Sequence, residues 1–466
     1  MTQIKTFNNP FWCFAAVAAL MSQDIYAGAF SLYTEASAVE IGNFAAGSAA
    51  EAVDASTGWY NPAGLVLLNQ NQALVSGVGV FPSTKISGLS TYNTVDFDPY
   101  KQSFDHASGG EQALVPAVHV VHPLGDRAAF GVSLVAPFGL STQWYEQSAV
   151  RYAATLTQLT TVNASPEISG LLTDHLSLGA GLDLQWARVK FDGVAGSPAG
   201  LQFLQELGAE VTPNLLDSSS TNQGSSFGVG FHAGLLSFFN HKHTRVGLNY
   251  QSRVSHEFRG YSFLKGRLAD PELLNPEASY RNDDLYSDYI SLPDIVTLSA
   301  YQDLSQKWAV LGSVVYTNWS TFQNIRLFNV AGYSSEESIQ TPVTLTTAQN
   351  YRNAWRAAAG LNYHVTDDWM IRGGGGYDQT PTVNQERDVR LPDGNRWALS
   401  LGSHYAATPS LSFDIGYTYL FGVGQPMINK TQVIDELSSV TINAHALNHA
   451  QLGGIQAIWN FDAVKS

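Results

Sequence analysis

The segment LSFDIGYTYLFG, residues 411–422, decides the fold. Leu411, Phe413, Ile415, Tyr417, Tyr419 and Phe421 share one parity, and Ser412, Asp414, Gly416, Thr418 and Gly422 share the other. Successive strand residues face opposite sides of a sheet, so the segment has one apolar and one polar face. The pattern returns where Leu176, Leu178, Ala180, Leu182, Leu184 and Trp186 alternate with Ser177, Gly179, Gly181, Asp183 and Gln185. It returns again where Trp369, Ile371 and Tyr377 alternate with Asp368, Arg372 and Asp378. A strand of about 9–11 residues, apolar on one face, spans a bilayer when tilted. The competing reading is a soluble β-protein with a dry core. Trp and Tyr near the ends of the apolar parity disfavour it, because they suit the two membrane interfaces.

Outward from that segment, Leu74 to Phe461 reads as fourteen strands joined alternately by short turns and long polar loops. The short turns centre on Gly125-Asp126, Thr173-Asp174, His241-Lys242, Ser305-Gln306, Thr366-Asp367 and Pro409-Ser410. The long connections run roughly over 83–111, 139–149, 194–223, 259–290, 324–350, 380–394 and 423–446. Short periplasmic turns, long outer loops and an even strand number belong to bacterial outer-membrane barrels. A closed barrel also pairs every backbone amide in lipid without helices. The expected fold is therefore all-β: a fourteen-stranded antiparallel transmembrane β-barrel.

Composition supports this. Aromatics make up 12% of the chain and glycine 41 of 466 residues, as interleaved apolar and polar faces require. No run of 18 apolar residues exists, so no transmembrane helix is expected. The longest apolar run, Phe11 to Met21, follows Lys5 and precedes Ile25-Tyr26-Ala27, which reads as a secretory signal peptide over 1–27. The single cysteine, Cys13, lies inside it, so the mature chain has no disulfide, catalytic thiol or cysteine-based metal site. The net charge of −15, with no basic run, argues against nucleic acid as a partner.

Residues 28–68 do not alternate and are rich in Ala, Gly and Ser, with short helical turns expected around Ala45–Ala52. A disordered tail is one reading. Phe30, Leu32, Tyr33, Ile41, Phe44, Trp59 and Tyr60 are many apolar groups for a tail, and a compact plug in the lumen fits them better. The chain thus divides into a signal peptide (1–27), a hatch (28–68), a barrel (69–461) and a C-terminal extension (462–466).

Within the hatch, Asp54-Ala55-Ser56-Thr57 followed by Asn61-Pro62-Ala63-Gly64-Leu65 resembles the hatch motif of the FadL/TodX outer-membrane transporters. The resemblance continues through Ser165-Pro166-Glu167, Asn249-Tyr250-Gln251-Ser252, Leu292-Pro293-Asp294 at the start of strand eight, and Trp319-Ser320-Thr321-Phe322. It extends to Arg372-Gly373-Gly374 with Tyr377-Asp378, and Leu391-Pro392-Asp393 with Arg396-Trp397. It departs at the end, where five residues follow the terminal aromatic Phe461. The resemblance implies a hatch of short helices and uptake of long-chain fatty acids or similar hydrophobic compounds. With no nucleotide-binding motif and no energy-coupling box in the hatch, uptake is expected to be passive, and the connection rhythm and aromatic-rich hatch lead to the expectation of a monomer set among outer-membrane lipid and lipopolysaccharide of a Gram-negative cell.

Site expectations follow from the resemblance. Asn61, Pro62, Ala63 and Gly64 would form the gate facing the binding cavity. Pro137, Phe138 and Gly139 end strand three; by pattern they fit an ordinary strand end at the rim, and the resemblance implies an inward kink that opens the wall for lateral exit. Leu201, Phe203, Leu204 and Leu207 share a short loop helix, and Phe263, Leu264, Leu268, Leu273 and Leu274 lie on the next long loop. The pattern fits two loops packing on each other as well as a ligand groove; the resemblance implies a capture groove. Arg188 and Arg326 are the expected partners of a substrate carboxylate, although parity places Arg188 outward unless a bulge intervenes.

No enzyme is expected. Gly-x-Ser-x-Gly, Gly-x-x-x-x-Gly-Lys and His-Glu-x-x-His are all missing, and no cofactor or metal is implied. Gly373–Gly376 read as close-packed wall. Asp183, Arg253, Arg356, Arg372 and Asp414 on inward parities would also suit a diffusion porin for small polar solutes, the alternative reading.

Overall fold

The structure is a computed structural model that describes residues 31–269, 280–334 and 339–461, except Ala209, Val211 and Pro213. The expected signal peptide, the extension after Phe461, and Leu273 and Leu274 lie outside the described residues. Fourteen antiparallel spans form one closed barrel. They are β1 (Gln72–Thr94), β2 (Ala113–Pro123), β3 (Ala128–Val135, resuming at Gly139–Gln143), β4 (Leu156–Thr173), β5 (Leu176–Ala195), β6 (Ser218–Phe239) and β7 (Thr244–Gln251 and Val254–Lys265). There follow β8 (Tyr280–Leu292 and Ile295–Asp303), β9 (Trp308–Thr317 and Asn324–Ser334), β10 (Ile339–Ala348 and Ala354–His364), β11 (Trp369–Asp378), β12 (Arg396–Thr408), β13 (Leu411–Gly422) and β14 (Ser438–Asn460). β1 closes the cylinder on β14, in register from Gln72–Asn460 to Thr94–Ser438.

The alternation read from the sequence is the inside–outside alternation of the wall. Phe413, Ile415 and Tyr417 are exposed on the outside, while Ser412, Asp414 and Thr418 are buried in the lumen. Leu178, Leu182 and Trp186 face out, and Asp183 and Gln185 face in. Two aromatic belts bound the apolar band. Trp308 packs on Tyr363 near the short turns, and Tyr316 on Trp355 nearer the outer loops. Eight residue steps separate Trp308 from Tyr316, about 26 Å along the strand and roughly 20 Å along the barrel axis after tilt, which puts the two pairs near opposite edges of an apolar band about 25 Å tall.

The spans run farther than the alternation suggested. β1 continues through Thr94, and the strand Tyr100–Ser108 folds back on it within the expected first long loop. Met427–Val433 pairs with β14 in the last one. Leu292-Pro293-Asp294 falls in the middle of β8, not at its start. Above the membrane both faces of a ladder meet water, so the pairing persists while the polarity signal that marks it disappears.

Residues 31–68 fill the lumen. Helix α1 (Ala38–Asn43) begins at Ser37, whose hydroxyl accepts from the Val39 N–H at 3.2 Å, and ends where Phe44 and Ala45 both take φ of 58°. The expected helical turns at 45–52 are instead irregular turns one step beyond this helix. Helix α2 (Thr57–Tyr60) leads into a 3₁₀ turn, Pro62–Leu67, opened by proline at its first position. Small wall residues admit the hatch backbone. A Cβ on Gly247 would lie 1.8 Å from the Ala49 carbonyl oxygen, and one on Gly374 2.3 Å from that of Asn43. Polar contacts tie the hatch on several sides. Thr418 donates to the Ile41 carbonyl at 2.6 Å, Asn362 to Glu51 at 2.7 Å, and Gln456 to Asp54 at 2.9 Å. The hatch carries Glu35, Glu40, Glu51 and Asp54 and no Lys or Arg, and from the wall Arg245 donates to the Glu51 backbone carbonyl.

Candidate ligand path

β2 and β3 part within the wall. Their ladder runs from Pro123–Ala129 to Val118–Leu134 and then lapses, resuming only at an isolated bridge between Gly110 and Thr142. Across the interval β3 bends at Ala136–Phe138, where Pro137 has no N–H to give and breaks the ladder. The freed backbone finds other partners. The Leu32 N–H of the hatch donates to Pro137 O at 3.0 Å, and Thr161 Oγ1 accepts from Phe138 N at 2.9 Å. Phe138 is buried and meets Trp319 edge-on, with ring centroids 6.0 Å apart. Behind the break stand Leu32, Val80, Val115 and Ala136, packed together.

Inside, an apolar cavity of about 500 Å³ crosses the barrel. Leu140, Leu159, Val189, Phe191, Phe258, Ile290, Leu292, Phe322, Ile325 and Leu391 supply its apolar walls, and Thr157, Gln158, Gln349, Tyr351 and Arg390 its polar groups. A larger cavity of about 870 Å³ lies among the outer ends of the strands and shares Phe191, Ile325 and Arg390 with it. A third, of about 420 Å³, lies between hatch residues Ser31, Leu32, Tyr33 and Trp59 and the kink residues Pro137 and Phe138.

Arg390 reaches the cavity because the segment between β11 and β12 folds into the barrel. Arg387 anchors this segment, donating to Asp393 O at 2.7 Å and Met427 O at 2.8 Å. Asp388 Oδ1 accepts from the Arg390 N–H at 2.9 Å, an aspartate turn. Pro392 then holds Leu391 extended. The Arg390 guanidinium donates to Ala153 O at 2.7 Å and Thr157 Oγ1 at 3.2 Å. Its centre lies 5.7 Å from the Phe191 ring centroid. Burial lowers its pKa, Asp388 and Asp192 oppose that shift, and an arginine so placed stays charged.

The expected site residues fall in four groups. Pro137, Phe138 and Gly139 are at the wall break. Asn61–Gly64 do not face the cavity. The Asn61 side chain donates to Ala49 O and Leu235 O, and Ala63 O accepts from Ser177 at 2.7 Å, so the turn is seated against the wall of β4–β6 toward the periplasmic end. The hatch residues Ser31, Leu32, Tyr33 and Trp59 line the third cavity, beside the kink, and not the apolar one. Arg188 and Arg326 are outside the lumen. No bulge interrupts β5 there, and Arg188 shares the outward parity of Trp186, donating to Gln223 at 2.7 Å. Arg326 is half exposed, 4.0 Å from Asp288 and stacked over Phe328. The two outer loops do pack on each other. Among the described residues, Leu201 and Leu264 are buried in one small core with Leu268, and Leu204 packs against it. Leu207 is exposed, and Phe263 stacks on Tyr280. The Phe203 side chain is outside the described part. Arg390 escaped the reading although it directly precedes the quoted Leu391-Pro392-Asp393, because nothing local marks a loop that folds inward.

A closed fourteen-stranded barrel with aromatic belts and a filled lumen defines a class: a plugged barrel of the bacterial outer membrane. Within it, the chain belongs to the outer membrane protein transport protein family (OMPP1/FadL/TodX), a family of transporters, whose profile matches residues 18–461. It is 29% identical to the long-chain fatty acid transport protein of Escherichia coli K12, over 88% of this chain and 91% of that one. It is 28% identical to outer membrane protein P1 of Haemophilus influenzae, over 98% and 100%. Among solved structures it resembles a Pseudomonas aeruginosa FadL homologue, with a TM-score of 0.78, 24% identity, and coverage of 93% and 100%. The Ralstonia pickettii toluene transporter TbuX superposes with a TM-score of 0.62 at 18% identity, covering 92% and 99%.

Proposed function

We propose that this protein passively takes up long-chain fatty acids or similar hydrophobic molecules across the outer membrane. The observation that carries the reading is the lining of the inner cavity, apolar side chains with a few polar groups and one guanidinium at the rim, which is the composition of a small-molecule site. The apolar wall would hold the chain and Arg390 the carboxylate. The neighbouring outer cavity would be the antechamber, taking the role first expected of a groove between the outer loops. The curated relatives named for fatty acid transport support the substrate class.

Ligand arriving at the inner cavity would displace Ser31–Tyr33 from the kink and leave sideways between β2 and β3 into the membrane. The hatch that fills the lumen argues against free diffusion of polar solutes straight through. Binding of a labelled long-chain fatty acid to purified protein, compared with an Arg390→Gln variant, tests the site. Binding that is undetectable in the wild type would overturn it.

A further inference from the structure

A second lapse in the wall lies on the other side of the apolar cavity. β8 and β9 are paired from Asp303–Ala309 to Ile295–Thr317, and Asn318 N–H then donates to Asp294 O at 3.0 Å. Among the described residues pairing returns for two residue pairs, Ser287–Leu327 and Tyr286–Phe328. In between, β9 leaves the ladder in a 3₁₀ turn, Trp319–Thr321, and β8 is broken at Pro293-Asp294. Pro293 has no N–H and suits the break.

Both sides of this lapse line the apolar cavity, Ile290 and Leu292 from β8 and Phe322 and Ile325 from β9. Its outer margin carries Asp288, the highly exposed Tyr289, and Arg326. The Asp288–Arg326 contact of 4.0 Å is the one ion pair bridging it among the described residues, and both side chains are about half exposed. Such a pair contributes little to holding the strands together. The lapse begins one residue beyond Thr317, directly above the aromatic pair Tyr316–Trp355 that marks the outer interface. An amphiphile resting in the outer leaflet has its head group at that height and its chain below it.

We propose that the β8–β9 lapse is a side entrance through which the chain of a membrane-dissolved amphiphile reaches the apolar cavity directly, without first crossing the outer loops. This rests on the uptake reading above and adds a second way in. Tyr289 and Arg326 would lie beside the incoming molecule at the interface, and Phe322, which packs against Trp319 and Tyr351, would be the side chain to swing aside.

The test is a removable staple. Asp288 and Arg326 stand next in register beyond the paired Ser287 and Leu327, a separation suited to a disulfide. The only native cysteine is Cys13, within the expected signal peptide, so D288C/R326C introduces an isolated pair. Uptake of labelled oleate by cells expressing this variant is measured oxidised and reduced, with equilibrium oleate binding on the purified protein. Uptake at least five-fold slower when oxidised, restored by reductant, with binding unchanged, supports the entrance. Unchanged uptake with the disulfide confirmed overturns it while leaving the transport reading standing. Loss of binding together with uptake also overturns it, because the lapse would then be part of the cavity's frame. No uptake or binding by the unstapled protein would defeat the transport reading instead. A bulky maleimide on S320C, at the exposed turn, should slow uptake likewise, and the same label on K101C should not; equal effects of the two labels would count against the entrance.

Discussion

Replacing Arg390 with glutamine separates the two halves of the proposed site. The guanidinium has five N–H donors, and Ala153 O and Thr157 Oγ1 occupy two of them. The remaining donors can meet a carboxylate at the rim of a cavity that is otherwise almost wholly apolar. A hydrogen bond to a charged group contributes about 1.5–3 kcal/mol. Arg390→Gln should therefore weaken oleate about 10- to 150-fold, since each 1.4 kcal/mol is tenfold. The substitution also loosens the inward loop, but that loss is common to every ligand. Oleyl alcohol, with the same chain and no charge, corrects for it and should lose less than about threefold, or roughly 0.6 kcal/mol. Isothermal titration or fluorescence displacement on purified protein gives both constants. Equal weakening of acid and alcohol would leave Arg390 only a loop support. No weakening of the acid would put the carboxylate elsewhere.

Three further outcomes are expected. Gly374→Leu drives a side chain into the Asn43 backbone and should unseat the hatch at a cost of about 1–3 kcal/mol without opening the barrel, read as raised permeation of small sugars; unchanged permeation would show that the hatch tolerates the intrusion. Burial, with Glu51 and Asp54 nearby, pushes Glu40 well above its usual 4.5. The seated hatch then binds more protons than a displaced one, so its stability falls as pH rises from about 4.5 through the raised value. Amide exchange over α1 should slow on acidification within that window, and Glu40→Gln should flatten the dependence; exchange that slows as pH rises would contradict the sign. Gly139→Trp should fill the β2–β3 break, leaving oleate binding within about twofold and cutting uptake at least tenfold. Undiminished uptake would redirect the exit through the plug.

Much of the fold was legible because the bilayer writes a two-residue period on each span. Leu411–Phe421 and Leu176–Trp186 carry that period without interruption, and the short turns fall where it stops. It fades above the membrane, so the continuation of β1 to Thr94 and the hairpin Tyr100–Ser108 were hidden inside loops. The site was less legible. Parity gave Arg188 its outward side correctly, and only the resemblance argued for the lumen. Pro137 announced a disturbed strand, but not that Leu32 would pair with it. Arg390 lies in a segment with no period at all, and its place depends on Arg387, Asp388 and Trp144, the last of which donates to Val389 O from another loop. Long-range contacts of that kind leave no local trace.

The central claim is uptake of a hydrophobic substrate, and the most direct measurement is the initial rate of labelled oleate uptake, at limiting concentration, in cells lacking and regaining this protein. Outer-membrane permeability to a small sugar is followed in the same cells. The account predicts oleate uptake that depends on the protein, with sugar permeability unchanged. Equal oleate uptake in both strains, together with sugar permeability that returns with the protein, would contradict it and make the barrel a porin.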